Sequence, residues 1–517
     1  MVRTQNPGRG KKLARSMLAG ITWQYLSVFA KAFLNLFVLA TLSRLLSPAE
    51  FGVMGTAFIF VGLAELVSEL GVGAAIIQMR ELTDEHIRVG FSITVVLGIG
   101  LVGILWMAAP FVALFFRNND LTKVVQAISL QFLLGSFGVV AEGLVRRRLH
   151  FRKLMLRDIM SYVFGYALVG ITLAWRGFGV WALVAACLCQ TACKSLLLLL
   201  MEPHPLKPSF ARRELADLAY FGGGVTLARL FTYCANQGDY FVVGRLSGMV
   251  SLGIYTRAYR LMMLPGAYFG QALDGVLFPV MARMQQERSR LTRMYLTGVT
   301  IVGLVMAPVG ILMAIMASEM VNIILGAKWS EATVPFQVLA LGVLPRVSYK
   351  IDNSVARAMG AVYQRSIRDG IYALAVVLGA SLGIRYGLVG VAVGVLGALI
   401  LNSVMALQMS VRLLQCPWSE YLSAQAPGLL LALAVSLVAI PTRLLLHVNG
   451  APDWLTLLVT CLICGLCVAG AVLWQPRRIV GTHGLGAIVM LFESVPLRVI
   501  PPAALKWFNT KVVQNAA

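Results

Sequence analysis

Apolar runs long enough to cross a lipid bilayer recur along the whole of this 517-residue sequence. A helix needs about 20 apolar residues to span the hydrocarbon core. Hydrophobic residues make up 59% of the chain, charged residues only 13%, and the mean hydropathy is +0.80, which no ordinary soluble domain shows. The sequence therefore predicts an all-α integral membrane protein with about fourteen transmembrane helices, at residues 17–41, 52–77, 89–116, 122–145, 155–175, 178–200, 216–244, 253–282, 294–316, 333–356, 366–384, 387–411, 424–446 and 455–474.

The excess of positive charge follows the predicted topology. The formal net charge is +22, from 44 Lys and Arg against 22 Asp and Glu. Of these 44 residues, 30 lie in the N-terminus, in the loops that follow even-numbered spans and in the tail. Another 8 lie in the loops that follow odd-numbered spans. Basic loops stay in the cytoplasm, so both termini are predicted to be cytoplasmic in a bacterial inner membrane. Topology explains the charge, and we expect no nucleic-acid partner.

Two stretches of the sequence repeat. RLLSPAEFGVMGTA, from Arg44, and RLSGMVSLGIYTRA, from Arg245, align without gaps at an offset of 201, which pairs Gly52 with Gly253. At a slightly larger offset, residues 177–184 resemble 386–393 and LRD at 156–158 resembles IRD at 367–369. Chance similarity between apolar segments is the alternative. The shared Arg and Gly favour a true repeat of six spans, and an even number of spans gives the two copies the same orientation.

The repeat sets the predicted domain organisation. We expect two parallel six-helix lobes followed by two extra helices and a tail. Residues 1–200 form the N-lobe, with the cytoplasmic N-terminus and helices 1–6, and residues 201–415 form the C-lobe, with helices 7–12. Residues 416–475 hold helices 13 and 14, and residues 476–517 form a basic cytoplasmic tail.

Ionisable side chains lie inside the predicted spans, where an Arg or Lys costs roughly 2.5 to 3.5 kcal/mol at a helix centre and so faces a bundle interior or a cavity. Polar residues at helical spacing on spans 1, 2, 7, 8 and 10 predict a cavity lined by these helices. The predicted cationic lining is Lys31, Arg229, Arg257, Arg260, Arg346 and Lys350, and the predicted polar lining is Gln24, Asn35, Asn236, Gln271 and Asn353.

Two simpler explanations compete with a cavity. A charge can snorkel to a headgroup, as for Arg357 near a cytoplasmic end, or pair with an acid, as Arg257 and Arg260 could pair with Asp239. Arg346 and Lys350 lie deeper and have no acid on their own helix face. Such cations predict an anionic ligand.

Several motifs carry a family resemblance. LSRLLSPAEFGVMG, SELGVGAAIIQMRELTDEHI and GDYFVVGRLSGMVSLGIYTRAYRLMMLP with VLFPVMARMQ resemble the polysaccharide transporter family of the multidrug/oligosaccharidyl-lipid/polysaccharide flippase superfamily, in particular its Wzx-type, colanic-acid-exporter-like members. The resemblance covers roughly residues 15–415.

The resemblance implies a fourteen-helix flippase that moves undecaprenyl-pyrophosphate-linked oligosaccharide repeat units across the inner membrane, for polymerisation into O-antigen, capsule or exopolysaccharide. A polysaccharide polymerase and a chain-length regulator are the implied protein partners. No cofactor, metal or catalytic residue is expected. Acids that could bind a coupling proton or sodium ion, or act structurally, are Glu65, Glu69, Asp239 and Asp274.

Two other classes of membrane protein compete with the flippase interpretation. A drug/cation antiporter of the same superfamily would share the fold, but its cavity should be acidic or apolar. A membrane enzyme would need an external catalytic loop or an acidic metal motif, whereas the external gaps are short and the acids do not cluster at ligand spacing. Transport of an anionic, lipid-linked sugar therefore fits the sequence best.

Overall fold

A computed structural model describes residues 32–68, 72–79, 81–212, 214–215, 226–474 and 481. Within these ranges the regular structure is entirely helical. The helices are α1 (Ala32–Leu45), α2 (Pro48–Ser68), α3 (Val72–Gln78), α4 (Asp84–Phe116), α5 (Asp120–Arg147), α6 (Phe151–Met160), α7 (Val169–Trp175), α8 (Val180–Met201), α9 (Thr226–Arg283), α10 (Arg288–Ile315), α11 (Ala317–Ile324), α12 (Thr333–Ala340), α13 (Val343–Ala358), α14 (Val362–Gly383), α15 (Gly387–Leu414), α16 (Trp418–Val448) and α17 (Asp453–Trp474). A π-helical segment, Ser161–Leu168, joins α6 to α7.

Helix α9 is two helices joined at a glycine. Gly248 has φ 83° and ψ 180°, a conformation that only glycine adopts readily. The Tyr255 hydroxyl donates to Asp239 at 2.8 Å, although a straight helix would separate these residues by about 24 Å. The chain therefore folds back at Gly248, where the sequence predicts the hairpin between spans 7 and 8.

Nine segments of the described residues are long and apolar enough to cross a membrane. One of them, Tyr363–Leu414, holds both α14 and α15. Large apolar side chains point outward, and Met107 and Leu466 are 77% and 71% exposed. The prediction of an all-helical, multi-pass membrane protein is confirmed, while the count of fourteen helices, the two-lobe layout and the cytoplasmic termini stay predictions.

The helices pack as two compact units. The first contains α1, α3, most of α4 and α5 to α8. Small residues allow close helix packing there, and a Cβ on Gly98 would lie 2.9 Å from the Phe132 carbonyl oxygen. The second contains nearly all of α2, the end of α4 and α9 to α17. Its core includes the fully buried rings of Trp329, Tyr255 and Phe336.

One turn occurs in both units with the same geometry. Helix α5 ends at Arg147 and α6 begins at Phe151, while α13 ends at Ala358 and α14 begins at Val362, so both boundaries are offset by 211 residues. The left-handed residues of the two turns, Leu149 with φ 57° and Gly360 with φ 71°, share this offset. The LRD and IRD motifs lie on the helices that follow, at equivalent positions.

Candidate functional site

Asp239 is the buried acid of the α9 hairpin. Its side chain is 1% exposed and accepts hydrogen bonds from the Tyr255 hydroxyl at 2.8 Å and from the Tyr240 backbone N–H at 3.0 Å. No ion pair among the described residues includes Asp239. The alternative in which Asp239 pairs with Arg257 or Arg260 is therefore wrong for this structure, because a tyrosine hydroxyl and a backbone amide satisfy the carboxylate instead.

Arg346 is buried but held by neutral groups. Only 6% of the residue is exposed. Its Nη1 donates to the Tyr372 hydroxyl at 3.1 Å and its Nη2 donates to Asn236 Oδ1 at 3.0 Å, while the guanidinium lies 5.8 Å from the centroid of the Tyr259 ring. A cation–π contact and neutral acceptors fix the guanidinium, and the buried Asp239 carboxylate attracts it electrostatically without forming an ion pair.

A cavity of about 210 Å³ opens beside Arg346. Lys350, one turn further along α13, also lines it, and its Nζ donates to the Gly266 carbonyl oxygen at 3.0 Å. Among the described residues no acidic side chain lines this cavity, whose walls are Asn236, Met262, Met263, Gly266, Val343, Arg346, Val347, Tyr349 and Lys350. The structure thus brings three sequence-predicted residues, Asn236, Arg346 and Lys350, together around a space that favours an anion.

An interrupted span forms one wall of the cavity. Helices α12 and α13 cover the predicted span 333–356 and are separated at Leu341 and Gly342. Val343, the first residue of α13, already lines the cavity. Discontinuous membrane helices are a common way to build a transport site near the bilayer midplane.

The other described candidates lie away from the cavity walls. The guanidinium of Arg257 lies 4.0 Å from the centroid of the Phe51 ring, and Arg260 and Glu65 are exposed. Asn353 accepts a hydrogen bond from Arg368, and Asn35 is half-buried on α1. None of these positions is among the walls of the cavity beside Arg346, and their assignment to a substrate cavity stays a prediction.

Part of the predicted cavity lining belongs to residues or side chains outside the described part of the chain. Gln24, Lys31 and Glu69 lie outside the described residues, and so do the side chains of Arg229, Gln271 and Asp274. Their assignment to the cavity stays a prediction.

Sequence reasoning missed two aromatic residues of the site, Tyr259 and Tyr372, which contact Arg346 directly. Tyr349, which helical spacing places on the same face as Arg346, lines the cavity. A weak signal was present, because Tyr255 and Tyr259 lie one helical turn apart on the span that follows Asp239. Tyr372 gave no signal, since its contact depends on how α14 packs against α13.

The chain matches known proteins over most of its length. A sequence model described as "Polysaccharide biosynthesis protein" matches residues 41–334. The teichuronic acid biosynthesis protein TuaB of Bacillus subtilis is 25% identical over 350 residues, covering 67% of this chain and 72% of TuaB. The lipopolysaccharide biosynthesis protein WzxC of Escherichia coli is 21% identical over 400 residues, covering 76% and 80%. The succinoglycan biosynthesis transport protein ExoT of Rhizobium meliloti is 25% identical over 353 residues, covering 68% and 71%.

Solved structures share the fold. The lipid II flippase MurJ, in an inward closed conformation, superposes with a TM-score of 0.73 at 13% sequence identity, covering 88% of this chain and 99% of MurJ. An inward-facing multidrug resistance transporter of the MATE family gives a TM-score of 0.60 at 18% identity, covering 74% and 94%. With the family match extending over more than half of the residues, the chain belongs to the polysaccharide biosynthesis protein family.

Proposed function

We propose that this protein is a flippase, not an enzyme, which moves polyprenyl-pyrophosphate-linked oligosaccharide repeat units across the bacterial inner membrane for polysaccharide biosynthesis. The observation that carries this proposal is the cavity lined by Arg346 and Lys350, whose walls include no acidic side chain in the part of the chain that the structure describes. In a chain this apolar, two adjacent cations at a cavity are costly unless an anion meets them.

The two cations suit a diphosphate in different ways. Arg346 is held by Asn236 and Tyr372, so its guanidinium presents a fixed, planar set of donors to phosphate oxygens. Lys350 has a flexible stem and supplies a point charge. Asn236 and Tyr349 line the same cavity and can hydrogen-bond sugar hydroxyls, while the polyprenyl chain stays in lipid.

The relatives support this substrate class. TuaB and WzxC are named for teichuronic acid and lipopolysaccharide biosynthesis, and ExoT is named a succinoglycan biosynthesis transport protein. Each of these names concerns a polymer built from sugars. Membership of the same family supports the transport of a lipid-linked precursor by this chain.

The mechanism that we propose is alternating access by rocking of two six-helix lobes. The repeated turn and the repeated RL…G motif support two related halves, and the substrate headgroup would enter from the cytoplasm and leave outside. Asp239, buried and without an ion pair among the described residues, is our candidate for a coupling proton or sodium ion. A polymerase and a chain-length regulator are the proposed partners, and we propose that both termini are cytoplasmic.

The second candidate function is drug/cation antiport. Only the fold shared with the MATE transporter favours it. A cationic drug would be repelled by Arg346 and Lys350, so the lining of the cavity argues against this function.

The test replaces each cavity cation by a neutral or a charged residue. Arg346→Gln and Lys350→Gln should stop polymer export and cause lipid-linked repeat units to accumulate in the cytoplasmic leaflet. Arg346→Lys and Lys350→Arg should be milder, because charge is retained. Arg385→Gln, at an exposed position, is the matched control and should export normally. Greater sensitivity to cationic drugs, without accumulation of the lipid intermediate, would replace the flippase proposal by antiport.

A further inference from the structure

The repeated turn carries an arginine that is equally buried in both copies. Arg157 is 3% exposed and Arg368 is 4% exposed, and the two are 211 residues apart, as are the turns themselves. Each is followed by an aspartate that it contacts: Asp158 at 2.5 Å and Asp369 at 2.9 Å. The two sites can therefore be compared atom by atom.

In the first copy, carboxylates satisfy the guanidinium. Arg157 Nη1 donates to Glu142 Oε2 at 2.8 Å, and its Nε donates to Asp158 Oδ1 at 3.0 Å. Glu142 also accepts from Arg146 and pairs with Lys194 at 3.7 Å. Two acids thus hold Arg157 at the end of α5.

In the second copy, the residue equivalent to Glu142 is Asn353. Arg368 Nη2 donates to Asn353 Oδ1 and to Asp369 Oδ1. Its Nε and Nη1 are buried and have no hydrogen-bond partner among the described residues. The nearby Asp352 carboxylate accepts from the Tyr295 hydroxyl at 2.8 Å; it attracts Arg368 electrostatically but forms no hydrogen bond with it. The amide of Asn353 therefore stands where the first copy has the Glu142 carboxylate, and the Nε and Nη1 donors of buried Arg368 have no acceptor among the described residues.

Buried charged donors without acceptors are destabilising, and native structures rarely contain them. A tetrahedral phosphate carries negative charge and several acceptor oxygens, which could accept from the Nε–H and Nη1–H groups of Arg368, one on each side of the guanidinium. Two further arginines flank the cluster: Arg357 is exposed and donates to the Ser354 hydroxyl, and the Arg365 side chain is 32% exposed and pairs with Asp369 at 3.5 Å. The site thus reaches the protein surface at its cationic side.

We propose that the cluster of Asn353, Arg368, Arg357 and Arg365 is a second, phosphate-binding site at the junction of α13 and α14. Asn353 follows Lys350 by three residues and so lies on the same face of α13. The site is the next step along this helix from the cavity toward the end that the positive-inside rule assigns to the cytoplasm. The binding of phosphate stands on the cluster alone, whereas its role as a docking point for the lipid-linked diphosphate rests on the proposed function.

The experiment restores the missing carboxylate. The full-length protein carries Arg346→Gln and Lys350→Gln, so that the main cavity no longer binds anions, and is placed in phosphatidylcholine nanodiscs. Inorganic pyrophosphate is titrated calorimetrically, and melting temperatures are measured without it. Asn353→Glu copies the first turn, Arg368→Gln removes the cation, and Arg385→Gln, at an exposed position outside the cluster, is the control.

We expect Asn353→Glu and Arg368→Gln to weaken pyrophosphate binding by about tenfold or more, since each removes charge-assisted hydrogen bonds. Asn353→Glu should also melt at a higher temperature, because Arg368 gains an internal partner, and Arg385→Gln should bind as its parent does. Unchanged affinity in Asn353→Glu or in Arg368→Gln would overturn the site. Because this binding is measured without transport, it can succeed even if the proposed function fails.

A second arm identifies the source of the phosphate. Nanodiscs containing either undecaprenyl pyrophosphate or phosphatidylglycerol are analysed by native mass spectrometry, with and without Asn353→Glu. Loss of retained undecaprenyl pyrophosphate in the variant supports docking of the substrate headgroup, and loss of phosphatidylglycerol alone supports an ordinary phospholipid. Pyrophosphate binding without retention of either lipid supports a free phosphate ligand. Equal retention of both lipids, together with unchanged pyrophosphate affinity, contradicts the proposal.

Discussion

Gly52 of α2 and Gly253 of α9 each pack against the backbone of the helix that carries the other. A Cβ on Gly52 would lie 1.8 Å from the Met249 carbonyl oxygen, and a Cβ on Gly253 would lie 1.8 Å from the Pro48 carbonyl oxygen. Both pairs of equivalent residues, Gly52 with Gly253 and Pro48 with Met249, are 201 positions apart. The contact is therefore reciprocal, as expected where two copies of a repeat meet around a local two-fold relationship.

The first prediction concerns the reciprocal contact between α2 and α9 at Gly52 and Gly253. Gly52→Ala and Gly253→Ala should each lower the free energy of unfolding by at least about 2 kcal/mol, because the backbones must separate to admit a methyl group. Export should also fall if this helix contact lies between moving lobes. Thermal unfolding in detergent measures the stability, and the amount of polymer on the cell surface measures export.

The control for the glycine substitutions is Gly100→Ala. Gly100 lies within α4, and a Cβ there would meet no atom within 4 Å. Alanine should be neutral or raise the stability by up to about 1 kcal/mol, because it favours the helix. Equal effects at Gly52, Gly253 and Gly100 would show that the reciprocal contact does not constrain packing.

Local signals in the sequence predicted much of this arrangement. Apolar runs placed the spanning helices, and the offset of 201 paired Gly52 with Gly253 before any contact was known. The spacing of Arg346 and Lys350 placed both on one face of a helix, and both line the cavity. These features depend on residues close in sequence, which helical periodicity captures.

Contacts between distant helices could not be predicted. Arg346 meets Asn236 across 110 residues and Tyr372 across 26, and periodicity does not indicate which neighbouring helix supplies a partner. Arg257 was assigned to the cavity because of its charge, yet the Phe51 ring lies beneath it. The replacement of Glu142 by Asn353 was visible in the sequence, but its consequence for Arg368 required the structure.

The second prediction tests the fixed position of Arg346. Tyr372→Phe removes a hydroxyl that accepts from Arg346 Nη1 at 3.1 Å, so a buried charged donor loses its partner. Stability should fall by about 1 to 3 kcal/mol, and export should fall although the charge is retained. Tyr363→Phe, at a position that is 87% exposed, should change neither. Normal stability and export in Tyr372→Phe would mean that Arg346 does not need this hydroxyl.

The third prediction concerns topology. Cysteine-accessibility labelling should find substitutions at Arg147 and Arg288 on the cytoplasmic side, and those at Arg176 and Arg443 outside, because basic loops stay in the cytoplasm. A cysteine-free background is needed, since all eight native cysteines are free thiols. Labelling of Arg147 and Arg176 from the same side would contradict the predicted span between them.

The last prediction concerns pH and the short helix α11. Glu319 is fully buried and accepts hydrogen bonds from Arg443 Nε at 2.6 Å and from Ser318 at 2.9 Å, and His447 lies 2.7 Å away. Burial raises the pKa of Glu319, but these hydrogen bonds outweigh it and hold the pKa below the ordinary 4.5. A carboxyl with a lowered pKa stabilises the fold above its unfolded pKa and loses this effect as the pH falls through its folded pKa. The melting temperature should therefore decrease once the pH falls below about 4.5. Glu319→Gln should have a lower melting temperature at neutral pH and should lack this part of the decrease in acid. Parallel melting-temperature profiles for the wild type and Glu319→Gln, from about pH 7 down to about pH 2, would show that the cluster does not stabilise the fold.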